Sequence, residues 1–352
     1  MKAGTRRIVF TAFTIVLFLV ISIKMNPFFI RDSQANAVEQ VTKESETGKN
    51  NFEWDFPDDS LLNLIGKDVK ELYPILGKPN RIEPSFYDYN WWVYNQDLES
   101  YVQIGVSQNK IVTMYLNGRN INIKPFQIGD NYEEIISKYN LQTEVSFEHE
   151  KGSYRFELSD EDLKTQPLLP INDFFAQLYI DKFTEKLSGI RILDKNNLIK
   201  QRPYELFYRG DLIENTTKIE DNIEKIERAN EKQILDITNI IRKREKANPL
   251  KWDVKTAKVA FLHSKDMYES KVFSHDSKRY GELSDRLKAG EVFYQLAGEN
   301  IAANYIDAPA VVEGWLNSKG HRESLLNERF THLGVGVYKK HYTQNFIQKW
   351  EP

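Results

Sequence analysis

The last third of the chain contains a series of short motifs that indicate its fold. The motif FSH occupies 273–275, AGENIA 297–302, WLNSKGHR 315–322, GVGV 334–337 and HYTQ 341–344. Apolar residues with helical spacing precede them between 234 and 241. Asp253 is placed to cap a second helix. The pattern indicates a domain of mixed helices and strands.

In this order, the motifs resemble those of the CAP superfamily, named for cysteine-rich secretory proteins, antigen 5 and pathogenesis-related proteins. The resemblance covers 231–352 and implies an α+β fold, an α-β-α sandwich around an antiparallel sheet. The layout is similar to that of CAP proteins from spore-forming Gram-positive bacteria, which carry an additional domain before the CAP domain. We therefore expect a CAP-associated domain upstream.

Composition limits the classes of protein. The chain has 352 residues, with 48 Lys+Arg against 51 Asp+Glu, and 41% of its residues are hydrophobic. This balance is typical of globular domains, and the length predicts two of them. A nucleic-acid binder would carry a basic surplus. Because cysteine is absent, disulfides, thiolate metal sites and a cysteine nucleophile are excluded.

The N-terminus predicts export. Three cations among the first seven residues precede an uncharged run at 8–23, which Lys24 closes. Residues 1–24 are either a signal anchor or a signal peptide cleaved after the small-x-small sequence at 35–37. We favour the anchor, because that sequence lies well beyond the apolar run. The positive residues keep the N-terminus inside, so the rest would be extracytoplasmic, membrane-anchored or secreted.

Between the membrane segment and the CAP domain, we expect a polar tether at 25–59, a duplicated domain at 60–205 and a charged helical connector at 206–230. The duplication rests on IGKDVKEL at 65–72, which matches IGDNYEEI at 128–135. Each copy opens as a helix and continues as strands, predicting two α-β-β-β units that share one core. The strands are expected at 90–94, 101–106, 110–116, 153–158, 174–180 and 188–193.

One aromatic cluster stands out in this domain. Half of it should face the core if it forms a strand, and the rest could bind glycan or peptide. Both interpretations stay open for the set Phe86, Tyr87, Tyr89, Trp91, Trp92 and Tyr94.

The resemblance also implies a cleft. Its motifs place His275, Glu299 and His341 there, while Ser318 stands where the family has a second Glu. These three residues are the predicted metal ligands, for Zn²⁺ or Ca²⁺. With His321 of the GHR phrase they are also the catalytic candidates, although the same side chains could form a structural network.

Two further histidines are interpreted as structural. His263 lies on a predicted helix with Asp266 three residues later, which indicates packing or a solvent-facing position. His332 precedes a predicted strand, and we expect it to have a structural role as well.

Local enzyme signatures are absent: the chain has neither His-Glu-x-x-His nor Gly-x-Ser-x-Gly. We therefore predict a binding protein of the cell envelope or spore rather than an enzyme. The N-terminal segment would contact the membrane, and the cleft would take a metal, a lipid or a wall-derived ligand, or a protein. The alternative is a hydrolase acting on peptide or peptidoglycan. A third hypothesis makes the cleft a structural scaffold in an interaction protein.

Overall fold

The structure is a computed structural model, and it describes residues 38–40, 54, 56–216 and 219–350. The predicted membrane segment at 1–24 lies outside these ranges. Within them, no helix is both long enough and apolar enough to cross a bilayer.

The N-terminal half is built on a seven-stranded sheet with the order β2-β3-β4-β5-β10-β9-β8. Its strands are β2 (Arg81–Pro84), β3 (Asn90–Tyr94), β4 (Val102–Ser107), β5 (Lys110–Leu116), β8 (Leu168–Ile171), β9 (Phe174–Asp181) and β10 (Lys186–Asp194). A second sheet has the order β1-β11-β7-β6 and contains β1 (Val38–Gln40), β6 (Glu144–His149), β7 (Gly152–Glu157) and β11 (Glu205–Arg209). The helices are α1 (Tyr73–Leu76), α2 (Tyr132–Lys138), α3 (Asp160–Thr165) and α4 (Lys195–Gln201).

The two copies of the predicted repeat make equivalent backbone contacts. The amide of Gly66 donates to the carbonyl of Ile111 in β5, and the amide of Gly129 donates to that of Leu187 in β10. The copies diverge at the strand expected over 153–158. That strand is β7, which pairs with β6 and β11 in the second sheet instead of joining the shared one. The duplication itself remains a hypothesis.

The boundaries of the predicted tether and connector differ from the structure. Trp54, placed in the tether, is buried against Phe126 and Tyr139, and its indole N–H donates to the carbonyl of Pro170. An aromatic side chain gains by joining a nearby core, so the ordered domain includes residues before 60. The first CAP helix, α5 (Ile223–Arg244), begins within the predicted connector.

The C-terminal half is an α-β-α sandwich. Its antiparallel core sheet has the order β12-β14-β15-β13, with β12 added in parallel at one edge. Helices α6 and α7 pack on one face, and α5, α8 and α9 on the other. The remaining elements are β12 (Lys251–Trp252), α6 (Val254–Ser270), α7 (Leu283–Ala289), β13 (Leu296–Ala303), α8 (Ala308–Leu316), α9 (Lys319–Leu326), β14 (His332–Tyr338) and β15 (His341–Gln348). As predicted, Asp253 caps α6 by accepting from the Thr256 amide.

The GVGV motif explains how closely α6 approaches the sheet. A Cβ added at Gly334 would overlap the backbone of Ala257, and one at Gly336 would overlap that of Phe261. The valine next to each glycine points to the other face and joins the core against α5. Alternation of glycine and valine therefore places backbone against helix on one face and apolar volume on the other.

The two halves share one hydrophobic core. Ile234, Val311 and Trp315 of the CAP domain lie in the same buried cluster as the aromatic residues of β3 and the segment before it. Of the aromatic set, Trp92 alone is half-buried, on the other side of the sheet. The aromatic residues therefore pack in the core, some of them at the interface between the two domains and some within the N-terminal domain. The buried members are Phe86, Tyr87, Tyr89, Trp91 and Tyr94.

Buried polar contacts also cross this interface. The guanidinium of Arg191 in β10 lies 2.7 Å from the carboxylate of Asp307, which caps α8. The carboxyl of Glu313 on α8 accepts hydrogen bonds from the hydroxyls of Tyr115 (2.8 Å) and Ser188 (3.2 Å) through Oε1. Because both contacts are nearly solvent-free, they tie the CAP domain to the N-terminal sheet in one orientation.

Candidate functional site

The site is centred on Glu299, which β13 carries into the interior. In the antiparallel pair of β13 and β15, Glu299 lies opposite Asn345, on the face that α6 covers. Its side chain is only 3% exposed. A buried carboxylate needs partners that supply charge and hydrogen bonds.

Arg286 and His263 surround this carboxylate from two helices. Nη2 of Arg286, on α7, lies 3.0 Å from Oε1 and 2.9 Å from Oε2 of Glu299. Nε2 of His263, on α6, lies 3.7 Å from Oε1. Both side chains are almost fully buried. Arg286 therefore neutralises the charge that β13 brings inside.

His275 is the exposed member of the group. Its Nδ1 lies 3.0 Å from Oε1 of Glu299, and its side chain is 49% exposed. An ionised carboxylate only accepts hydrogen bonds, so Nδ1 must be the protonated nitrogen. In neutral His275, Nε2 therefore keeps its lone pair and is available to a ligand or a proton.

The protonation states follow from burial and charge. Burial alone would raise the pKa of Glu299, but the hydrogen bond from His275 and the charge of Arg286 outweigh it, so the pKa lies below its usual value. Burial lowers the pKa of His263 to about 4, although Glu299 partly opposes this effect. Burial and the neighbouring His275 likewise lower the pKa of His321 to about 4. At neutral pH Glu299 is therefore an anion, and His263 and His321 are neutral imidazoles.

The structure joins His321 to the group and separates His341 from it. His321 lies close enough to His275 for the two imidazoles to interact electrostatically. Its backbone carbonyl accepts from the side-chain amide of Asn300, which points to the face of the sheet opposite Glu299. By contrast, His341 lies opposite Ala303, four residues along the strand from Glu299, or about 13 Å. Its Nδ1 lies near the carbonyl of Lys339 instead. The motif HYTQ led to the prediction that His341 lies in the cleft. That prediction differs from the structure because the motif does not show which residue of the neighbouring strand lies opposite His341.

The predicted metal ligands are therefore not assembled. Between 56 and 350, apart from the undescribed pair 217–218, no group of three or more His, Asp or Glu side chains is arranged to hold a metal ion. A divalent cation at Glu299 would also face the guanidinium of Arg286, which already contacts both carboxylate oxygens. Ser318, in place of the family's second Glu, is the N-cap residue immediately before α9.

A cavity of about 220 Å³ adjoins the site between the end of α6 and the segment 272–279. His263 is the member of the group that lines it. The acidic side chains of Asp266, Glu269 and Asp276 and the basic ones of Lys278 and Arg279 share its wall. Sites for drug-sized molecules usually enclose at least ~300 Å³, so this cavity suits a small group carrying both charge signs.

Sequence reasoning missed Arg286, and it interpreted both His263 and His332 as structural. His263 follows Ala260 and precedes Met267 at helical spacing on a buried face, a signal that could have placed it against the sheet. Arg286 has no such signal, because only the packing of α7 brings it to Glu299. His332 is half-buried beside the hydroxyl of Thr331, away from the group.

Comparisons with known proteins agree with this architecture. The CAP-associated N-terminal family matches residues 65–204, and the cysteine-rich secretory protein family matches 235–350. The membrane protein YlbC of Bacillus subtilis (strain 168) is 51% identical over 308 residues, which are 88% of each chain. YkwD of the same organism is 40% identical over 123 residues, covering 34% of this chain and 48% of YkwD.

Two solved structures are similar over most of the chain. An extracellular protein containing an SCP domain from Bacillus anthracis str. Ames is 50% identical, with a TM-score of 0.79 over 86% of this chain and 100% of that one. A cysteine-rich secretory protein from Staphylococcus aureus subsp. aureus Mu50 is 29% identical, with a TM-score of 0.72 over 84% and 98%. The chain belongs to the CAP superfamily, with an N-terminal CAP-associated domain before its cysteine-rich secretory protein domain.

Proposed function

We propose that this protein is an extracytoplasmic, membrane-tethered binding protein of the cell envelope or spore, whose cleft holds a small polar ligand derived from the cell wall. The basic and apolar N-terminus supports export. Relatives named as a membrane protein and as an extracellular protein agree with that location.

One observation carries the choice of binding over catalysis. The carboxylate of Glu299 is buried and held by Arg286 and His275, so it has no free oxygen facing a substrate. The exposed member of the group is His275, and the residues on either side of it, Ser274 and Asp276, line the cavity whose wall carries both charge signs. A wall peptide, with its ammonium and carboxylate groups, matches that wall better than a lipid tail would.

The test is to measure by calorimetry how tightly soluble peptidoglycan fragments bind to the full chain. His275→Ala should weaken binding about tenfold or more, because a hydrogen bond to a charged group contributes about 1.5 to 3 kcal/mol. His341→Ala is the matched control, since His341 lies far from Glu299, and it should bind like the wild type. Equal binding by all three proteins, or no binding at all, would contradict the proposal.

Metal and lipid are separate arms of the same experiment. Melting of the wild type with and without Zn²⁺ or Ca²⁺ tests the metal. A stoichiometric shift that His275→Ala abolishes would show that the cleft takes a cation and would replace the proposed ligand. Saturable binding of a lipid monomer that competes with the wall fragment would point to an apolar ligand instead.

One contact favours a hydrolase as the second candidate. The Nδ1 of His275 is fixed by Glu299, which leaves Nε2 as a base in the orientation that acid–base catalysis uses. If the wild type cleaves peptide or peptidoglycan and His275→Ala with Glu299→Ala does not, this function applies. Activity that survives both substitutions would exclude that mechanism.

A further inference from the structure

The most exposed large apolar side chains of the described residues lie at one end of the CAP domain. Phe293 is 80% exposed, Val254 74% and Trp350 69%, and every other large apolar residue in those ranges is below 60%. Side chains of this size seldom stand free on a soluble surface in a group. We name these three residues the apolar tip.

Backbone pairing places the three together. The amide of Gln295 donates to the carbonyl of Gln348, so Phe293 and Trp350 lie just beyond the same end of the β13–β15 pair. Val254 begins α6 at this end, because Asp253 beside it forms an ion pair with Lys349 beside Trp350. The opposite end of the sheet, at the β14–β15 turn, contacts the N-terminal domain, where the ammonium of Lys340 lies over the rings of Phe86 and Tyr87.

A basic collar surrounds the apolar tip. Within the described ranges, the acidic side chains of Asp253 and Glu291 beside the tip are paired with Lys349 and Lys255. Three exposed lysines add charge that no ion pair within the described ranges offsets. Lys251 lies in β12, Lys258 is one helical turn after Val254, and Lys288 is bonded through its carbonyl to the amide of Glu291.

We infer that the apolar tip contacts the surface of a bilayer rich in anionic lipid. The three side chains protrude, so a flat partner could cover only one side of each of them, whereas the interface of a bilayer would surround them. Tryptophan and phenylalanine gain from that interface, and each lysine near an anionic surface adds attraction. This contact goes beyond the proposed cleft function, because it would fix how the CAP domain faces the membrane.

The test uses the full chain, which has no cysteine, so one introduced thiol carries one label. A polarity-sensitive fluorophore is attached at Phe293→Cys or, as the control, at Ile136→Cys, an exposed apolar position on α2. The protein is mixed with phosphatidylglycerol or phosphatidylcholine vesicles that carry a lipid-bound quencher. This readout is local, so binding through the N-terminal run does not imitate it.

Phosphatidylglycerol should shift the emission at 293 to shorter wavelength and quench it, with little effect at 136. The combined substitutions Lys251→Glu, Lys258→Glu and Lys288→Glu should reduce the quenching at 293 to the control level. Equal signals at both sites, or none at 293, would overturn the inference. A shift caused by purified peptidoglycan alone, or by higher protein concentration without vesicles, would instead identify a wall polymer or a second copy as the partner and overturn it too.

Discussion

The carboxyl of Glu313 should make the stability of this protein fall as pH rises. It is fully buried between the domains, where Oε1 accepts from Tyr115 and Ser188 and Oε2 has no hydrogen-bond partner among the described residues. Burial is the main reason that its pKa rises from 4.5 to about 7. Arg244 opposes the rise and Asp181, paired with Arg322, adds to it.

The magnitude follows from that change. Above pH 4.5 the unfolded chain releases the proton, while the folded protein keeps it until about pH 7, so folding takes up a proton between these values. Stability from this group is fully present below pH 4.5 and is lost as pH rises through 7. Between pH 5 and pH 8 the loss is about 2 to 3 kcal/mol in the free energy of unfolding.

Glu313→Gln removes the titration. The amide adds a constant cost, because its buried NH₂ group needs an acceptor, but that cost does not depend on pH. Urea unfolding at pH 5, 6, 7 and 8 should therefore show the variant gaining about 2 to 3 kcal/mol on the wild type between pH 5 and pH 8. Glu323→Gln, an exposed position on α9, is the control and should follow the wild type. Parallel profiles for wild type and Glu313→Gln would show that Glu313 does not cause the pH dependence.

Three more outcomes follow from buried contacts. Arg191→Ala leaves Asp307 unpaired at the domain interface and should lower the free energy of unfolding, measured in urea, by about 3 to 5 kcal/mol. The double variant Arg191→Met with Asp307→Asn should recover part of this loss. Gly336→Ala forces a methyl group into the backbone at Phe261 and should cost about 3 kcal/mol in thermal unfolding; a wild-type melting curve would disprove the close approach. His263 should stay neutral down to about pH 4 in an NMR titration, and a midpoint near 6.5 would show that it is exposed.

The sequence predicted where the strands lie better than it predicted which strands pair with each other. Strands expected at 90–94 and 110–116 are β3 and β5, because apolar alternation is a local property. The strand at 153–158 formed too, but its pairing with β11 depends on residues fifty positions away. The aromatic set similarly left packing and ligand binding open, since burial depends on the second domain.

The order of the motifs was sufficient to identify the CAP fold, and it placed His275 and Glu299 at one site. The residues that surround them depend on the tertiary fold. In the fold, Arg286 and His263 lie beside Glu299, whereas His341 lies far from it. Strand register and helix packing set the distances of these side chains from Glu299. The fold also joins both domains through one core. The physical reason is that covalent neighbours fix local shape, whereas the charge and burial of a side chain depend on distant parts of the chain.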